Sequence, residues 1–373
     1  MTTTSTHGRL AAFAAPREPF TIVTHEVPEP RPGAILVRVH MCNICGSDVH
    51  AWHGDFKTTG GLGGYLPTVL GHEMIGEVAA LGAGVERDSA GRALAVGDRV
   101  TYTYFSPCGV CPSCISGRRV LCTGMRMSML GAIDEWPYFV GGYADYFYMH
   151  PGAAVYKVPD ELPDEVAAGA NCALSQVMAG FSRAGLTAGE TVVIQGAGGL
   201  GLYATAVARD AGAQCVIVID GQADRLDLAR RFGAHATVDL NAFDDERSRV
   251  REVMRLTGGR GGDVVMELVG VPDVVGEGIK LTAMGGRYVL IGNINAGATA
   301  ALDPTRLVFA NKSLIGVSLY EPATLGAALA FLERNRERLP LDALLSHKFP
   351  LESIDEAFGK AERREVLRAS IEL

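Results

Sequence analysis

The stretch TVVIQGAGGLGLYATAVARDAGAQCVIVID, residues 191–220, decides the fold of the second half of the chain. The apolar run at 191–195 is typical of a buried strand, the apolar spacing over 200–212 indicates a helix, and 215–220 is a second apolar run. A strand, a helix and a strand in this order predict a βαβ unit.

The same alternation continues beyond residue 220. Helical spacing over 224–234 is followed by further apolar runs. Before the opening stretch, residues 160–184 show a helical pattern with small residues. The strands expected after the βαβ unit lie at 236–240, 263–269, 286–292 and 313–318. We therefore predict an α/β domain with a doubly wound parallel sheet.

The glycine loop GAGGLG, residues 196–201, fits the pattern G-x-G-x-x-G between a strand and a helix. The first glycine permits a tight turn, the second lets a pyrophosphate approach the helix N-terminus, and the third lets the helix pack closely on the sheet. Asp220, 19 residues after Gly201, ends the next strand and is expected to bind the ribose hydroxyls. The predicted cofactor-binding residues are Gly196, Gly198, Gly199, Leu200, Gly201, Asp220 and Arg225.

The carboxylate of Asp220 favours NAD over NADP, because it would repel a 2′-phosphate. Arg225 is close enough in sequence to reach the same region, so NADP is the alternative.

The first half of the chain has a different pattern. Residues 9–160 contain short alternating runs broken by Gly and Pro, which predict an irregular β-rich domain. Strands are expected at 34–41, 77–81, 98–104 and 144–150. The 373 residues therefore suggest two domains.

Composition excludes several classes of protein. The formal net charge is −8, whereas nucleic-acid-binding proteins are usually basic. No apolar run approaches the ~18 residues that a membrane span requires. The first 20 residues lack a basic region followed by an apolar core, so we expect a cytoplasmic protein with reduced thiols and no membrane partner.

A cluster of four cysteines, CGVCPSCISGRRVLC, lies at residues 108–122 with the spacing C-x2-C-x2-C-x7-C. Such clusters occur in disulfide knots, iron–sulfur sites, nucleic-acid-binding fingers and zinc sites. The length of the chain and its reduced thiols argue against a disulfide scaffold, and the acidic charge argues against a nucleic-acid-binding finger. A zinc site and an iron–sulfur site remain.

A second set of metal-binding residue types is dispersed along the chain. Cys45 lies in CGSDVH, His72 in GHE, and Cys172 in NCALS. Catalytic zinc takes nitrogen and sulfur ligands from three protein positions and keeps a fourth position open. These three residues can supply such a set.

These motifs together resemble the zinc-containing medium-chain alcohol dehydrogenases. C-G-[ST]-D-x-x-H, G-H-E, the cysteine cluster and the glycine loop occur in the order of that family, and the match runs from about residue 20 to the end. The resemblance implies a GroES-like catalytic domain (1–172, with a zinc lobe at about 104–124), a Rossmann NAD-binding domain (173–320) and a C-terminal segment (321–373) that returns to the catalytic domain.

The resemblance also implies roles for individual residues. Cys45, His72 and Cys172 match the ligands of the catalytic zinc. Cys108, Cys111, Cys114 and Cys122 match the ligands of a structural zinc, which makes two Zn²⁺ per chain. Asp48 matches the partner that orients His72, and Glu73 matches a carboxylate behind the metal that in some members coordinates it. Ser47 matches the hydroxyl that accepts the proton of the alcohol, and His50 matches the outer end of that relay.

The sequence departs from the family at Gly46, where several members carry a basic residue that reaches the pyrophosphate. The loops 53–67 and 124–140 are expected to shape the substrate pocket, with Tyr104 and Asn293 as further candidates. The stretch 158–180 loosely resembles a bacterial subgroup associated with phosphonate catabolism.

The predicted function is hydride transfer between an alcohol, or its aldehyde or ketone, and NAD(H). The alternative is a reductase or a polyol or aldehyde dehydrogenase of the same fold that acts on a specialised metabolite, with NADP in place of NAD. A zinc protein that binds nucleic acid and an NAD sensor without turnover are the alternatives from other classes. The resemblance implies a homotetramer or homodimer.

Overall fold

The computed structural model describes residues 6–55, 64–294 and 297–373. The described chain forms two compact units. The first comprises the described residues of Met1–Ser175, Tyr320–Arg336 and Leu341–Leu373, and the second comprises Gln176–Leu319 and Glu337–Pro340. We keep the sequence-based limits after residues 172 and 320 as proposed domain boundaries. Part of the loop 53–67 lies outside the described residues, because these exclude 56–63.

The part of the first unit before Ser175 consists mainly of strands, with few helices. Its strands before Ser175 are β1 (His7–Phe13), β2 (Thr21–Glu26), β3 (Ile35–Asn43), β4 (Thr68–Val69), β5 (Glu73–Leu81), β6 (Arg99–Tyr102), β7 (Phe105–Ser106), β8 (Arg126–Met127), β9 (Tyr146–Met149) and β10 (Val155–Lys157). Its helices there are α1 (Gly46–His53), α2 (Pro112–Ile115) and α3 (Asp164–Ala167). The alternating sequence of this half therefore folds as the predicted β-rich unit.

Strands and helices alternate in the second unit. Its strands are β11 (Thr191–Gln195), β12 (Cys215–Asp220), β13 (Ala236–Asp239), β14 (Gly262–Glu267), β15 (Thr282–Leu290) and β16 (Ser313–Gly316). The helices from Ser175 onward are α4 (Ser175–Ala184), α5 (Gly199–Asp210), α6 (Ala223–Arg231), α7 (Glu246–Leu256), α8 (Val274–Leu281) and α9 (Pro304–Val308).

The C-terminal segment returns to the first unit. It contains α10 (Ala323–Asn335), β17 (His347–Pro350), α11 (Ile354–Glu362) and β18 (Ala369–Glu372). Strand β18 pairs antiparallel with β3, and the sheet runs β10-β6-β5-β3-β18-β17, with β9 also paired to β3. The C-terminal segment therefore completes the sheet of the first unit that contains β3 and β5.

The second unit is a six-stranded parallel sheet in the order β13-β12-β11-β14-β15-β16. Strand β11 is buried along its whole length, which explains its continuous apolar sequence. The strand order reverses between β11 and β14, and ligands bind doubly wound sheets at the carboxyl ends of the strands on either side of such a reversal. The predicted α/β class with a Rossmann sheet is confirmed.

The structure differs from the predicted elements in three main respects. The helix expected over 160–184 is interrupted by a π-helical turn at Ala170–Leu174 between α3 and α4, a feature that is frequent at functional sites. The strand expected at 263–269 ends at Glu267, because the Glu267 side chain accepts the N–H groups of Val269 and Gly270. Strand β18 was not predicted. No helix among the described residues is long and apolar enough to cross a membrane.

Candidate active site and metal centres

The structure brings Cys45, His72 and Cys172 together from three separate elements. Cys45 is the N-cap of α1, His72 directly precedes β5, and Cys172 lies in the π-helical turn. Their ligand atoms lie within 4.8 Å of one another, and His72 Nε2 is 3.3 Å from Cys172 Sγ. Tetrahedral zinc with bonds of about 2.0–2.3 Å places its ligand atoms roughly 3.3–3.8 Å apart, so this donor set fits zinc.

The two thiols of this set are electrostatically coupled. Hydrogen bonding by the Cys172 thiol lowers the pKa of Cys45 well below its ordinary value, and the same contact and burial raise the pKa of Cys172. The pair therefore holds one thiolate readily. A cation is the partner that would stabilise both thiols as thiolates.

Asp48 determines the orientation of the His72 ring. The Asp48 carboxylate is buried and lies 3.2 Å from His72 Nδ1. It also accepts the N–H of Cys45 at 2.9 Å and the hydroxyl of Tyr143 at 2.9 Å. With Nδ1 held by Asp48, Nε2 faces the two thiols, which is the arrangement that a metal-binding imidazole needs.

Glu73 lies beside this set and forms a buried ion pair that the sequence did not predict. Its Oε2 is 3.1 Å from Nη1 of Arg368, at the start of the C-terminal strand, and 3.4 Å from Nδ2 of Asn43. Burial raises the pKa of Glu73 to about 7, although Arg368 opposes this shift. Its Oε1 is buried without a hydrogen-bond partner among the described residues, so this oxygen is available to an added cation.

Two aromatic residues border the three ligands. The ring of Tyr104 packs on His72, with the ring centroids 4.8 Å apart. Tyr320, from the segment that returns to the first unit, donates its hydroxyl to the carbonyl of Asn171. Tyr320 therefore helps to hold the turn that carries Cys172, and no local sequence motif indicated this role.

Ser47 and His50 lie on α1, three residues apart and on the same side of the helix. The Ser47 hydroxyl is 3.4 Å from His72 Nε2, whereas His50 Nδ1 is 2.8 Å from Asp55 Oδ2. Among the described residues no hydrogen bond joins Ser47 directly to His50. The relay predicted from the sequence stays a prediction.

The cysteine cluster forms the second candidate metal centre. The four Sγ atoms of Cys108, Cys111, Cys114 and Cys122 lie within 4.8 Å of one another. Hydrogen bonds from backbone N–H groups lower the pKa of Cys111 to about 6, and the N–H of Cys114 has the largest effect. Four converging sulfur donors without a nitrogen or oxygen ligand fit a closed structural zinc site.

The glycine loop has the geometry that dinucleotide binding requires. Gly196 has φ +100°, a conformation that side chains disfavour, and a Cβ on Gly201 would lie 1.9 Å from the Gly196 carbonyl oxygen. Gly198 caps α5 and has open space where a Cβ would be, and Gly199 and Leu200 form the first turn of that helix. The helix N-terminus is thus accessible to a pyrophosphate.

Asp220 lies beside this loop. One carboxylate oxygen accepts the N–H of Ala197 at 2.7 Å, and the other accepts the N–H of Gln222 at 2.9 Å. Arg225, in the first turn of α6, has no hydrogen bond or ion pair with the loop or with Asp220 in the described part of the chain.

Glu267 is a further residue that the sequence analysis missed. It is fully buried at the end of β14, the strand next to β11. Its carboxylate accepts the N–H groups of Val269 and Gly270 at 2.7 Å and that of Asn293 at 3.1 Å. It therefore shapes two loops at the carboxyl edge of the sheet. The signal that the sequence offered for Glu267 was an acidic residue inside the apolar run 263–269.

Comparison with known proteins gives the family. The alcohol dehydrogenase GroES-like domain matches residues 31–160, and the zinc-binding dehydrogenase domain matches residues 199–334. The chain is 37% identical to 5-exo-hydroxycamphor dehydrogenase of Pseudomonas putida, over 90% of each chain. It is 34% identical to L-threonine 3-dehydrogenase of Anaeromyxobacter dehalogenans, over 93% of this chain and 94% of that enzyme.

Comparison with solved structures leads to the same family. An alcohol dehydrogenase of Thermotoga maritima is similar with a TM-score of 0.90 and 29% identity, over 98% of this chain and 99% of that one. A zinc-binding dehydrogenase of Sinorhizobium meliloti bound to NADP has a TM-score of 0.84 and 28% identity, over 99% of this chain and 100% of that one. The chain therefore belongs to the zinc-dependent medium-chain alcohol dehydrogenases, oxidoreductases that transfer a hydride between an alcohol and a nicotinamide cofactor.

Proposed function

We propose that the protein is an NAD-dependent dehydrogenase of a secondary alcohol and that it carries two zinc ions per chain. The observation that carries this proposal is the convergence of Cys45, His72 and Cys172, with Asp48 orienting the imidazole. When bound there, zinc supplies a Lewis acid that makes an alcohol more acidic. NAD⁺, when bound at the glycine loop, supplies the acceptor for the hydride of the carbinol carbon.

The side chains of α1 are proposed to remove the alcohol proton. The Ser47 hydroxyl lies beside His72 Nε2, and it takes up that proton while it releases its own proton toward His50. His50 is the outer acceptor: Asp55 engages its Nδ1, so Nε2 is the atom that takes up the proton. Because the two side chains make no direct hydrogen bond among the described residues, a bridging hydroxyl between them is part of the proposal.

The NAD preference rests on Asp220. Its carboxylate is fixed by two backbone N–H groups beside the glycine loop, where ribose hydroxyls donate to such a group and a 2′-phosphate is repelled. The relative from Pseudomonas putida acts, by its name, on a bicyclic secondary alcohol, and we propose an alcohol with an apolar carbon body for this chain as well. A polyol or aldehyde substrate remains the second candidate from the sequence.

Metal content and turnover test this function together. We expect about two zinc ions per chain, and formation of NADH with at least one alcohol from a panel of 5-exo-hydroxycamphor, L-threonine and 2-propanol. The variant Cys45→Ser should lose one zinc ion and reduce kcat/KM at least roughly a hundredfold with an unchanged circular dichroism spectrum. Cys42→Ala, which changes the other cysteine of the same CxxC pair, is the control. Full activity of Cys45→Ser would show that the assigned centre is wrong.

We also propose a homodimer formed through β16. This strand is one of the two edges of the parallel sheet, the other being β13, and three of its four residues are exposed. Around it Val308 is 70% exposed, Phe309 79% and Leu314 41%. An edge with unpaired backbone groups and apolar side chains is a template for pairing with a second copy of the chain.

A further inference from the structure

Two neighbouring residues, Tyr320 and Glu321, each contact one of the two candidate metal centres. They lie where the chain returns to the first unit. The Tyr320 hydroxyl donates to the carbonyl of Asn171, which directly precedes the ligand Cys172. The Glu321 carboxylate accepts backbone N–H groups of the cysteine cluster. One short segment of the first unit is therefore hydrogen-bonded to the chain beside both sets of ligands.

Glu321 fixes the segment that leads to the ligand Cys122. Its Oε2 accepts the N–H of Arg119 at 3.0 Å, and its Oε1 accepts that of Val120 at 3.1 Å. These residues begin the 3₁₀ turn Arg119–Leu121, which ends directly before Cys122. The first N–H groups of a helical turn have no partner within it, and a carboxylate is a favourable partner for them. Both oxygens of Glu321 are thus used to hold the zinc lobe.

Tyr320 acts on the opposite side, at the turn that carries Cys172. The residue is 1% exposed, so its hydroxyl and the Asn171 carbonyl meet away from solvent. The Asn171 side chain in turn donates to the carbonyls of His72 and Tyr102 at 2.9 and 3.0 Å. Asn171 therefore joins the turn with Cys172 to the ligand His72, and Tyr320 supports the position of both ligands.

A buried aromatic cluster of Tyr104, Phe105 and Tyr320 gives a second set of contacts between the two regions. The ring centroid of Tyr320 lies 5.1 Å from that of Phe105 and 6.4 Å from that of Tyr104. The Tyr104 ring packs on His72, whereas Phe105 begins β7, which ends two residues before Cys108. Close-packed side chains are hardly compressible and transmit a displacement to their neighbours. A change in the lobe therefore has a packed route to the catalytic ligands.

We propose that Glu321 and Tyr320 are positioning residues that couple the two metal centres, so that zinc bound in the lobe strengthens zinc binding at the catalytic centre. The inference rests on the proposed function, because it takes both centres to bind zinc. With four cysteines held by a metal, the turn before Cys122 keeps one conformation and Glu321 stays attached to it. Tyr320, the next residue, then holds the turn with Cys172. Coupling between two binding sites is reciprocal, so the catalytic zinc strengthens binding in the lobe by the same factor.

Zinc affinity is the readout, because it requires no turnover. Cys111→Ser retains only the catalytic zinc and Cys45→Ser only the zinc of the lobe, so chelator competition with these variants assigns the two affinities of the wild type. We expect each variant to bind its remaining zinc about tenfold more weakly than the wild type binds the same ion, which is within the range of known couplings between sites. An unchanged affinity in either variant would overturn the proposal.

Variants of Glu321 test the route. Glu321→Ala should weaken the catalytic zinc about tenfold, whereas Glu321→Gln, which keeps one oxygen for an N–H, should retain most of the affinity. When Glu321→Ala is already present, Cys111→Ser should weaken the catalytic zinc no further, because the coupling is lost. Glu333→Ala, at an exposed carboxylate in α10, is the control. Losses that add up in the double variant would refute the role of Glu321.

Tyr320→Phe tests the other end of the segment, since it keeps the ring and removes only the hydroxyl. It should weaken the catalytic zinc roughly tenfold, as expected for one lost hydrogen bond in a buried site, with an unchanged circular dichroism spectrum. An unchanged zinc affinity would contradict its assignment as a positioning residue. The metal measurements are independent of activity: if they agree with the coupling and no alcohol is oxidised, the proposed function fails while the coupling stands.

Discussion

At the scale of single residues, two buried or half-buried carboxylates organise the candidate sites. Asp48 holds the backbone of Cys45, the ring of His72 and the hydroxyl of Tyr143 at the same time. Asp220 holds Ala197 and Gln222 beside the glycine loop. The residue types of both were readable from sequence motifs, whereas their multiple partners were not, because those partners are brought close only by folding.

The discrimination between NAD and NADP is a prediction at this scale. Asp220→Asn retains an oxygen for the Ala197 N–H but removes the negative charge, so it should lower kcat/KM with NAD⁺ about tenfold to a hundredfold and raise that with NADP⁺. Initial rates with both cofactors at a saturating alcohol concentration measure the ratio. Asp224→Asn, a change of an exposed acidic residue in α6, is the control. An unchanged ratio in Asp220→Asn would contradict the assignment.

At the scale of elements, the zinc lobe and the π-helical turn have different origins. The lobe follows from its own sequence, because four cysteines within fifteen residues bring the sulfur atoms together around the short helix α2. The π-helical turn with Cys172 depends on distant groups: Asn171 donates to the carbonyls of His72 and Tyr102 at 2.9 and 3.0 Å. Local periodicity therefore predicted a regular helix where long-range hydrogen bonds favour a wider turn.

The lobe gives a prediction about stability. Cys111→Ser should remove one zinc ion per chain and lower the melting temperature by roughly 5 °C or more, because a structural metal contributes directly to folding. Calorimetry and metal analysis measure both quantities, and Ser113→Ala in the same helix is the control. Retention of two zinc ions at an unchanged melting temperature would refute a structural metal at this cluster.

At the scale of the whole molecule, strand pairing determines which distant residues meet and which sheet edges stay open. The C-terminal strand β18 pairs with β3, and this pairing places Arg368 beside Glu73 although the two are far apart in the chain. The same scale determines which sheet edges stay open: among the described strands of the parallel sheet, β13 and β16 each have a neighbour on one side only.

The edge at β16, with its exposed apolar side chains, predicts the oligomeric state. Leu314→Lys should convert the proposed dimer into a monomer, because a charged side chain on an edge strand opposes pairing with a second edge. Light scattering coupled to size-exclusion chromatography gives the mass. Val96→Lys, at another exposed apolar residue, should leave the mass unchanged. A wild-type monomer, or a dimer that persists in Leu314→Lys, would exclude this interface.

The sequence by itself determined the family, the α/β class, the two sets of metal-binding residue types and the glycine loop. These features are local, since each depends on residue identity and short spacing within one segment. Only the tertiary structure showed the Glu73–Arg368 pair, the loops around Glu267 and the turn that presents Cys172. These features depend on side chains from distant segments, whose approach is determined by sheet pairing and packing and leaves no periodic signal in the sequence.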